Sequence, residues 1–522
     1  MTSLAQTPPA ASPSSSSLQS RLLFWIFLGG GLLFVVQILV PHMRAYFVAD
    51  DYSFLVEDSE KPWYFSGDLL YRPFRNLLAH LLPRLIGLSP VPYRVLVAIV
   101  ILSSLALFYL LLRQFGVSKE GSLAGILIAA FYPRHATVYY FWAASQDAFM
   151  TLALLAAFLW WIKYRASDKW VYYLLALGSF AVALGFKEPA ACFPGILFGW
   201  DVLRLDGSWR NALRPSFWRP YIGFVIVLAA FGAFVVWYPE GRFHQPDRYG
   251  IYGFFGIGRG VFAWIRTWIN LLLPFATPIS LHGLTIVDLL SLGLIGAFVF
   301  IAAKWLRLGA AILLCGAAIA LLNVPSSFFA SRSPGDQYLY LPSFVLAGFL
   351  GYLIGVLLGR PALLKAAAVT GLIVYILFGA IYLRDRQIES KAACDLSHRI
   401  IGLIREAVPP ESVQELTLIG PPQSLGNASV FNNGMLGALE HVGYSRDLHV
   451  LLTHVDGVPP GSGQLLMERT LACKTSATSG ASRTLLVNSE SAVELDPACA
   501  SSIVAADRTA RPWAWSAYPA DH

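Results

Sequence analysis

The run from Leu22 to Val40 is apolar and long enough to cross a bilayer, and runs of its kind recur along most of the chain. This pattern constrains the fold more than any other feature. Buried in lipid, a backbone must satisfy its own hydrogen bonds, so only helices or a closed barrel can span. A barrel would show short alternating strands, whereas these runs are continuous over about twenty residues. Hydrophobic residues make up 56% of the 522 and charged residues only 13%, well below the roughly 25% charged of soluble proteins. The chain therefore reads as a polytopic α-helical membrane protein. Its net charge of +7 does not point to nucleic acid, because the basic residues fall in short links between apolar runs, where they set orientation.

Residues 1–20 are rich in Ser, Pro and Ala and read as a disordered tail. Leu22–Val40 lacks a small-residue cleavage site and reads as an uncleaved anchor. Further spans are expected near 93–112, 121–140, 148–162, 170–186, 189–203, 220–238, 284–303, 308–323, 338–357 and 366–383. The links Arg113–Lys119, Lys163–Lys169, Arg204–Arg219, Lys304–Arg307 and Arg360–Lys365 are basic and should face the cytoplasm. They alternate consistently if the amphipathic run from Gly258 to Phe275 lies on the outer surface or re-enters. That gives about eleven spans, with the N-terminus inside and the C-terminus outside; a twelfth crossing is the second choice. Residues 21–385 then form a transmembrane domain whose first outer loop is 41–92. Residues 391–522 are mixed and polar, with strand-like runs at Glu415–Ile419, His449–Thr453 and Thr484–Val487. They read as a small soluble α/β domain on the outer side. Within it, Cys473 and Cys499 could pair in an oxidising compartment.

The first outer loop opens with Ala-Asp-Asp-Tyr-Ser, so Asp50 and Asp51 stand where lipid gives way to water. Two adjacent carboxylates repel unless something positive offsets them. From Asp68 to Ile86 the pattern is helical: Leu70, Phe74, Leu77, Leu78, Leu81 and Leu85 share one face, while Arg72, Asn76, His80 and Arg84 recur on another. This predicts an interfacial helix with a basic stripe toward water. Other polar groups at outer span ends are His135 and Asp147, Lys187 and Glu188, His244, Asp247 and Arg248, and Arg332, Asp336 and Gln337.

A carboxylate can deprotonate a hydroxyl as it attacks a sugar carbon, and Arg and Lys stabilise the charge on a departing phosphate. Together they describe sugar transfer from a lipid phosphate. The carboxylate pair also suits a divalent cation, Mg²⁺ or Mn²⁺. No zinc spacing, P-loop or serine-nucleophile motif is present.

At these residues the sequence resembles the GT-C superfamily of polyprenyl-phosphate-sugar-dependent glycosyltransferases. Within it, the chain looks most like the bacterial relatives of the transmembrane O-mannosyltransferases that carry tetratricopeptide repeats. Asp50-Asp51 matches the acidic motif of the first outer loop. Tyr71-Arg72-Pro73-Phe74 is similar to the family's Tyr-Arg-Pro-Leu. Tyr132-Pro133-Arg134-His135 with Asp147 is similar to His-Pro-x-His…Asp, and Phe186-Lys187-Glu188 to Ser-Lys-Glu. Asp336-Gln337-Tyr338-Leu339-Tyr340-Leu341-Pro342-Ser343 is close to Glu-Arg-Tyr-Leu-Tyr-Leu-Pro-Ser.

The resemblance implies an inverting transfer in a bacterial inner membrane, from a polyprenyl-phosphate sugar donor to a glycan, lipid or protein acceptor on the periplasmic side. The implied catalytic residues are Asp50 and Asp51, which would also be the ligands of any metal. The implied substrate-binding residues are Arg72, His135, Asp147, Lys187, Glu188, Arg332 and Gln337. The chain departs from the pattern at Tyr132, Thr137 and Gln337, and no tetratricopeptide repeats follow the membrane core. Two other classes are weighed beside it. A transporter or flippase of a lipid-linked or anionic solute would carry mid-membrane charges and internal repeats. A non-catalytic assembly protein would show dispersed outer charges.

Overall fold

A computed structural model describes residues 16–48, 50–57, 72–204, 214–237, 271 and 339–419. Beyond these it describes 424–425, 428–431, 435–445, 449–454, 482–487, 492–495 and 511–514. The expected spans at 284–303 and 308–323, the run 258–275 apart from Leu271, and Cys473 and Cys499 lie outside these residues.

The chain enters through α1 (Ser16–Leu33), which continues as a π-helix (Phe34–Leu39) and a 3-10 turn (Val40–His42). After the acidic loop come α2 (Pro73–Ile86), α3 (Pro90–Gln114), α4 (Lys119–Ala130), α5 (Gln146–Ser167), α6 (Trp170–Phe186), α7 (Phe193–Arg204) and α8 (Ile222–Trp237). The bundle closes with α9 (Tyr340–Leu358) and α10 (Ala362–Ala407). Among the described residues, six helical segments are long and apolar enough to cross a membrane. They identify an integral membrane protein. Ile99, Leu110, Ile226, Leu377 and Phe378 stay exposed on them, a surface that lipid covers without penalty.

Local sequence explains the boundaries. Proline opens α2 and α3, where its missing N–H costs nothing. The Ser118 hydroxyl caps α4 by accepting from Gly121 N at 3.0 Å. Asp168, at φ 54, makes the left-handed turn that ends α5 before α6 returns alongside it. α4 and α9 touch backbone to backbone: a Cβ on Gly351 would stand 2.5 Å from the Gly121 carbonyl oxygen.

Three expected elements differ. The span at 189–203 is a 3-10 segment, Glu188–Cys192, followed by the 12-residue α7, and is not among the six. The span at 121–140 is not one helix. α4 stops at Ala130, Tyr132 is extended at φ −67, ψ 118, and the chain turns through Pro133–His135 into a short helix, Ala136–Tyr140. Pro133 disfavours the helical conformation for the residue before it and cannot donate to a preceding turn. Conversely, the span at 366–383 does not end there but continues to Ala407 as one helix of 46 residues, about 70 Å long at 1.5 Å per residue. It runs far beyond the roughly 30 Å of a hydrocarbon core. From Ala380 to Ile401 no Pro or Gly interrupts it.

α10 delivers the chain to a five-stranded sheet in the order β6-β5-β1-β4-β7, made of β1 (Glu415–Ile419), β4 (His449–His454), β5 (Ser482–Val487), β6 (Ala492–Leu495) and β7 (Arg511–Ala514). β1 pairs parallel with both β4 and β5, and the edge strands run antiparallel. A hairpin, β2 (Ser424–Leu425) with β3 (Ala428–Ser429), and α11 (Met435–His441) complete it. α11 packs against the acidic loop, and this contact brings the sheet region to the site.

Candidate functional site

The acidic loop opens with an irregular stretch, Ala45–Val48, then forms a short helix, Asp50–Tyr52, and a π-helical turn, Ser53–Glu57. The two carboxylates do not share an environment. Asp50 is half-buried, while Asp51 is 0% exposed. Asp51 Oδ1 accepts from Ala143 N at 2.7 Å, and Oδ2 lies 3.5 Å from Arg94 Nη2. Burial pushes the Asp51 carboxyl up to about 7, against the pull of Arg94 and the neighbouring backbone N–H groups; the Asp50 charge adds to the rise. The positive offset that an adjacent carboxylate pair requires is thus Arg94, from the first turn of α3. The signal for it was an ionisable residue at the mouth of an apolar run.

The second part of the site is a set of paired ions where α2, α5 and α6 meet. Arg72 grips Glu188 bidentately, Nε to Oε1 at 2.7 Å and Nη2 to Oε2 at 3.0 Å, and donates from Nη1 to Gln146 Oε1 at 3.0 Å. Lys187 Nζ donates to Asp147 Oδ2 at 2.6 Å. Burial alone would raise the Glu188 carboxyl; Arg72, by charge and hydrogen bond, reverses this and holds it below the usual range. Lys187 and Glu188 fall here because α6 ends at Phe186 and the chain turns extended before the 3-10 segment Glu188–Cys192.

The two parts are joined. Gln146 Nε2 donates to the Ala143 carbonyl oxygen at 3.0 Å, and Ala143 N donates to Asp51. A continuous chain therefore runs from Asp51 through the Ala143 peptide and Gln146 to Arg72 and Glu188.

His135 takes a different place. It is 0% exposed, hydrogen-bonded to the Ser343 hydroxyl and, at 3.0 Å, to Tyr139 Oη, among the rings of Tyr132, Tyr340 and Phe344. Its neighbour Tyr340 lies within electrostatic reach of Asp147. In this structure His135 positions α9 rather than facing an open site.

The basic stripe of α2 also needs correction. Arg72, Arg75 and Asn76 are buried, with the Arg75 guanidinium 4.9 Å above the Phe54 ring, while Leu81 and Leu85 are exposed. The start of the polar face, Arg72 and Asn76, turns into the protein, where charges and amides find partners, while His80 is half-buried and Arg84 exposed.

Asp51 does not suit a metal: one oxygen is taken by a backbone N–H and the other faces a guanidinium. Among the described residues, no three His, Cys, Asp or Glu side chains come together as a metal-binding group. The acidic loop also meets the C-terminal region. Tyr46 stacks on His398 from α10, with centroids 3.8 Å apart and planes at 6°, and Tyr52 contacts His441 from α11 at 5.9 Å. Arg332 and Gln337, with His244, Asp247, Arg248 and Asp336, lie outside the described residues. Sequence reasoning missed Arg94 and Gln146, the latter uncharged and without a signal of its own, and it named Ser343 only as the end of a family-like motif, not as a partner of His135.

Residues 72–237 match the sequence family of the dolichyl-phosphate-mannose-protein mannosyltransferases. The resemblance to GT-C glycosyltransferases is shown over a segment that begins at Arg72 and takes in His135, Asp147, Lys187 and Glu188; Asp50 and Asp51 precede it. No curated protein sequence matches the chain significantly. Among solved structures, ArnT from Cupriavidus metallidurans in the apo state aligns at 13% identity and TM-score 0.48, covering 89% of this chain and 97% of that one. The same protein bound to undecaprenyl phosphate aligns at 14% identity and TM-score 0.43, with the same coverage.

Proposed function

We propose that this chain, with a dolichyl-phosphate-mannose-type sequence pattern over residues 72–237, is a membrane glycosyltransferase that moves a sugar from a polyprenyl-phosphate donor to a hydroxyl acceptor. Asp50, the more accessible carboxylate, takes the acceptor proton. The acceptor oxygen bonds to the sugar's anomeric carbon from the face opposite the phosphate, and the carbon–oxygen bond to that phosphate breaks. The departing phosphate is received beside Lys187 and Arg72. Their carboxylate partners, Asp147 and Glu188, fix the two cations before substrate arrives, so little reorganisation is needed as charge develops. Asp51, held by Arg94 and Ala143, orients the motif. The chemistry is carried by these side chains, with no step through a metal.

The observation that supports this reading best is the hydrogen-bonded chain from Asp51 to the Arg72–Glu188 pair, which makes the acidic motif and the cations one site. Their gathering at one end of the bundle favours transfer at a membrane surface over transport through it. The basic links argue for a cytoplasmic N-terminus and a sheet region on the outer side; the bacterial inner membrane is what the family resemblance implies.

The test is complementation of a deletion strain with wild type, Asp50→Asn, Asp51→Asn and the double variant, with mass spectrometry of surface glycans. A sugar missing from the deletion strain should return with wild type and not with Asp50→Asn. Full product in all three variants would overturn the reading.

A further inference from the structure

The Arg94 guanidinium, 4% exposed, does more than neutralise Asp51. Its Nη1 donates to the Tyr140 carbonyl oxygen at 2.7 Å, its Nη2 donates to the Tyr46 carbonyl oxygen at 3.1 Å, and the same Nη2 faces Asp51 Oδ2 at 3.5 Å. His42 Nε2 reaches the same Tyr140 oxygen at 2.8 Å. Tyr46 and Asp51 belong to the acidic loop. Tyr140 ends the short helix before the turn that presents Ala143 to Asp51 and Gln146 to Arg72. One planar fork therefore grips both segments whose relative placement sets the distance between the acidic motif and the paired cations. Arg94 sits on a third element, α3, and is fixed against both.

We propose that Arg94 is the positioning residue of the reaction centre, setting the acidic motif against the Arg72 and Lys187 site through Asp51 and the Tyr140–Ala143 turn. A lysine supplies the charge but not the fork: its single nitrogen cannot meet two carbonyls and a carboxylate with the same geometry. The role is thus one of shape, and displacement of about 1 Å at a reacting group costs on the order of 100-fold in rate.

This inference rests on the glycosyltransferase reading, and the experiment separates the two. Full-length protein in nanodiscs is given a panel of polyprenyl-phosphate hexoses together with cell-envelope extract of the deletion strain as the source of acceptor hydroxyls, and release of polyprenyl phosphate is followed for wild type, Arg94→Met, Arg94→Lys, Asp51→Asn and Arg94→Met/Asp51→Asn. Thermal melting confirms that each variant folds. Arg94→Met, Arg94→Lys and Asp51→Asn should each lower kcat about 100-fold with donor KM unchanged. Because Arg94 acts through Asp51, the double variant should be no slower than the slower single one. Wild-type turnover in Arg94→Lys, or losses that multiply in the double variant, would overturn the positioning role. Asp50→Asn, run beside them, reports on the reading itself: if it turns over like wild type, the glycosyltransferase mechanism fails irrespective of Arg94.

Discussion

Lys187 Nζ lies 2.6 Å from Asp147 Oδ2, and each side chain is only 3% exposed. Such a pair is held together by the cost of separating it: removing one partner strands a charge that has already lost its water. Lys187→Met and Asp147→Ala should each destabilise the protein by about 3–5 kcal/mol, whereas Lys187→Met/Asp147→Leu should restore most of that loss. Thermal melting in nanodiscs measures both. Lys187→Met and the double variant should lack transfer, because neither offers a cation to the leaving phosphate.

Arg72 and Glu188 make the other pair, bidentate and partly open, with side chains 11% and 28% exposed. Here geometry matters more than charge. Arg72→Lys keeps the charge and loses both the fork to Glu188 and the contact with Gln146. Transfer should fall on the order of 10- to 100-fold while melting moves little, since a partly exposed pair contributes modestly to stability. A wild-type rate in Arg72→Lys would mean that the pair is only a structural tie.

The pH dependence of stability follows from Asp51 and Glu188, which act in opposite directions. The folded state raises Asp51 from 3.8 to about 7. Between those values the folded protein holds a proton that the unfolded chain has lost, so the Asp51 contribution to stability falls as pH rises through the window, by at most about 1.4 kcal/mol per pH unit. Glu188 is held below its ordinary value, so its contribution is present at neutral pH and is lost as pH falls through its folded value. Asp51→Asn should therefore flatten the decline of melting temperature between pH 5 and pH 7 and leave the acid limb in place. Parallel curves for wild type and variant would show that Asp51 does not titrate there.

The contact between α4 and α9 gives a test independent of chemistry. A Cβ on Gly351 would meet the Gly121 carbonyl oxygen at 2.5 Å and the Gly125 Cα at 2.8 Å, both backbone atoms that no rotamer change can move. Gly351→Ala should cost about 1–3 kcal/mol by overpacking. Transfer per folded molecule should be unchanged, because the helices part far from the ion pairs.

What the sequence made legible was periodicity and polarity, and what it hid was direction and partnership. The stripe Arg72, Asn76, His80, Arg84 is a true helical period, but amphipathicity alone does not say whether the polar face meets water or protein. In α2, Arg72 and Asn76 turn inward, because the protein interior, unlike lipid, offers Glu188 and Gln146. The break at Pro133 was visible as a proline, yet the apolar Val138-Tyr139-Tyr140-Phe141 beyond it carries enough hydrophobicity to read as the same span. Arg94 was visible as a charge, but its partners come from the acidic loop and the Tyr140 turn, and no local pattern announces such distant contacts. The Asp50-Asp51 motif was found by type, while its division into one buried and one half-open carboxylate depends on packing.

That packing includes the C-terminal region, which gives the last prediction. Tyr52, 3% exposed, follows Asp51 directly and contacts His441 of α11; Tyr46, on the other side, stacks on His398 of α10. The acidic loop is therefore clamped by two rings belonging to elements that lead into the sheet. Tyr52→Ala removes a buried aromatic and should destabilise by about 3–5 kcal/mol, whereas Tyr52→Phe keeps the ring contact and should cost about 1 kcal/mol. If the clamp holds the motif, amide hydrogen exchange in residues 45–57 should rise in His441→Ala and His398→Ala even though both histidines are exposed. The expected rise reflects easier local opening of the loop. Unchanged exchange in both variants would mean that the grip of Arg94 holds the loop alone and that the sheet region is a bystander.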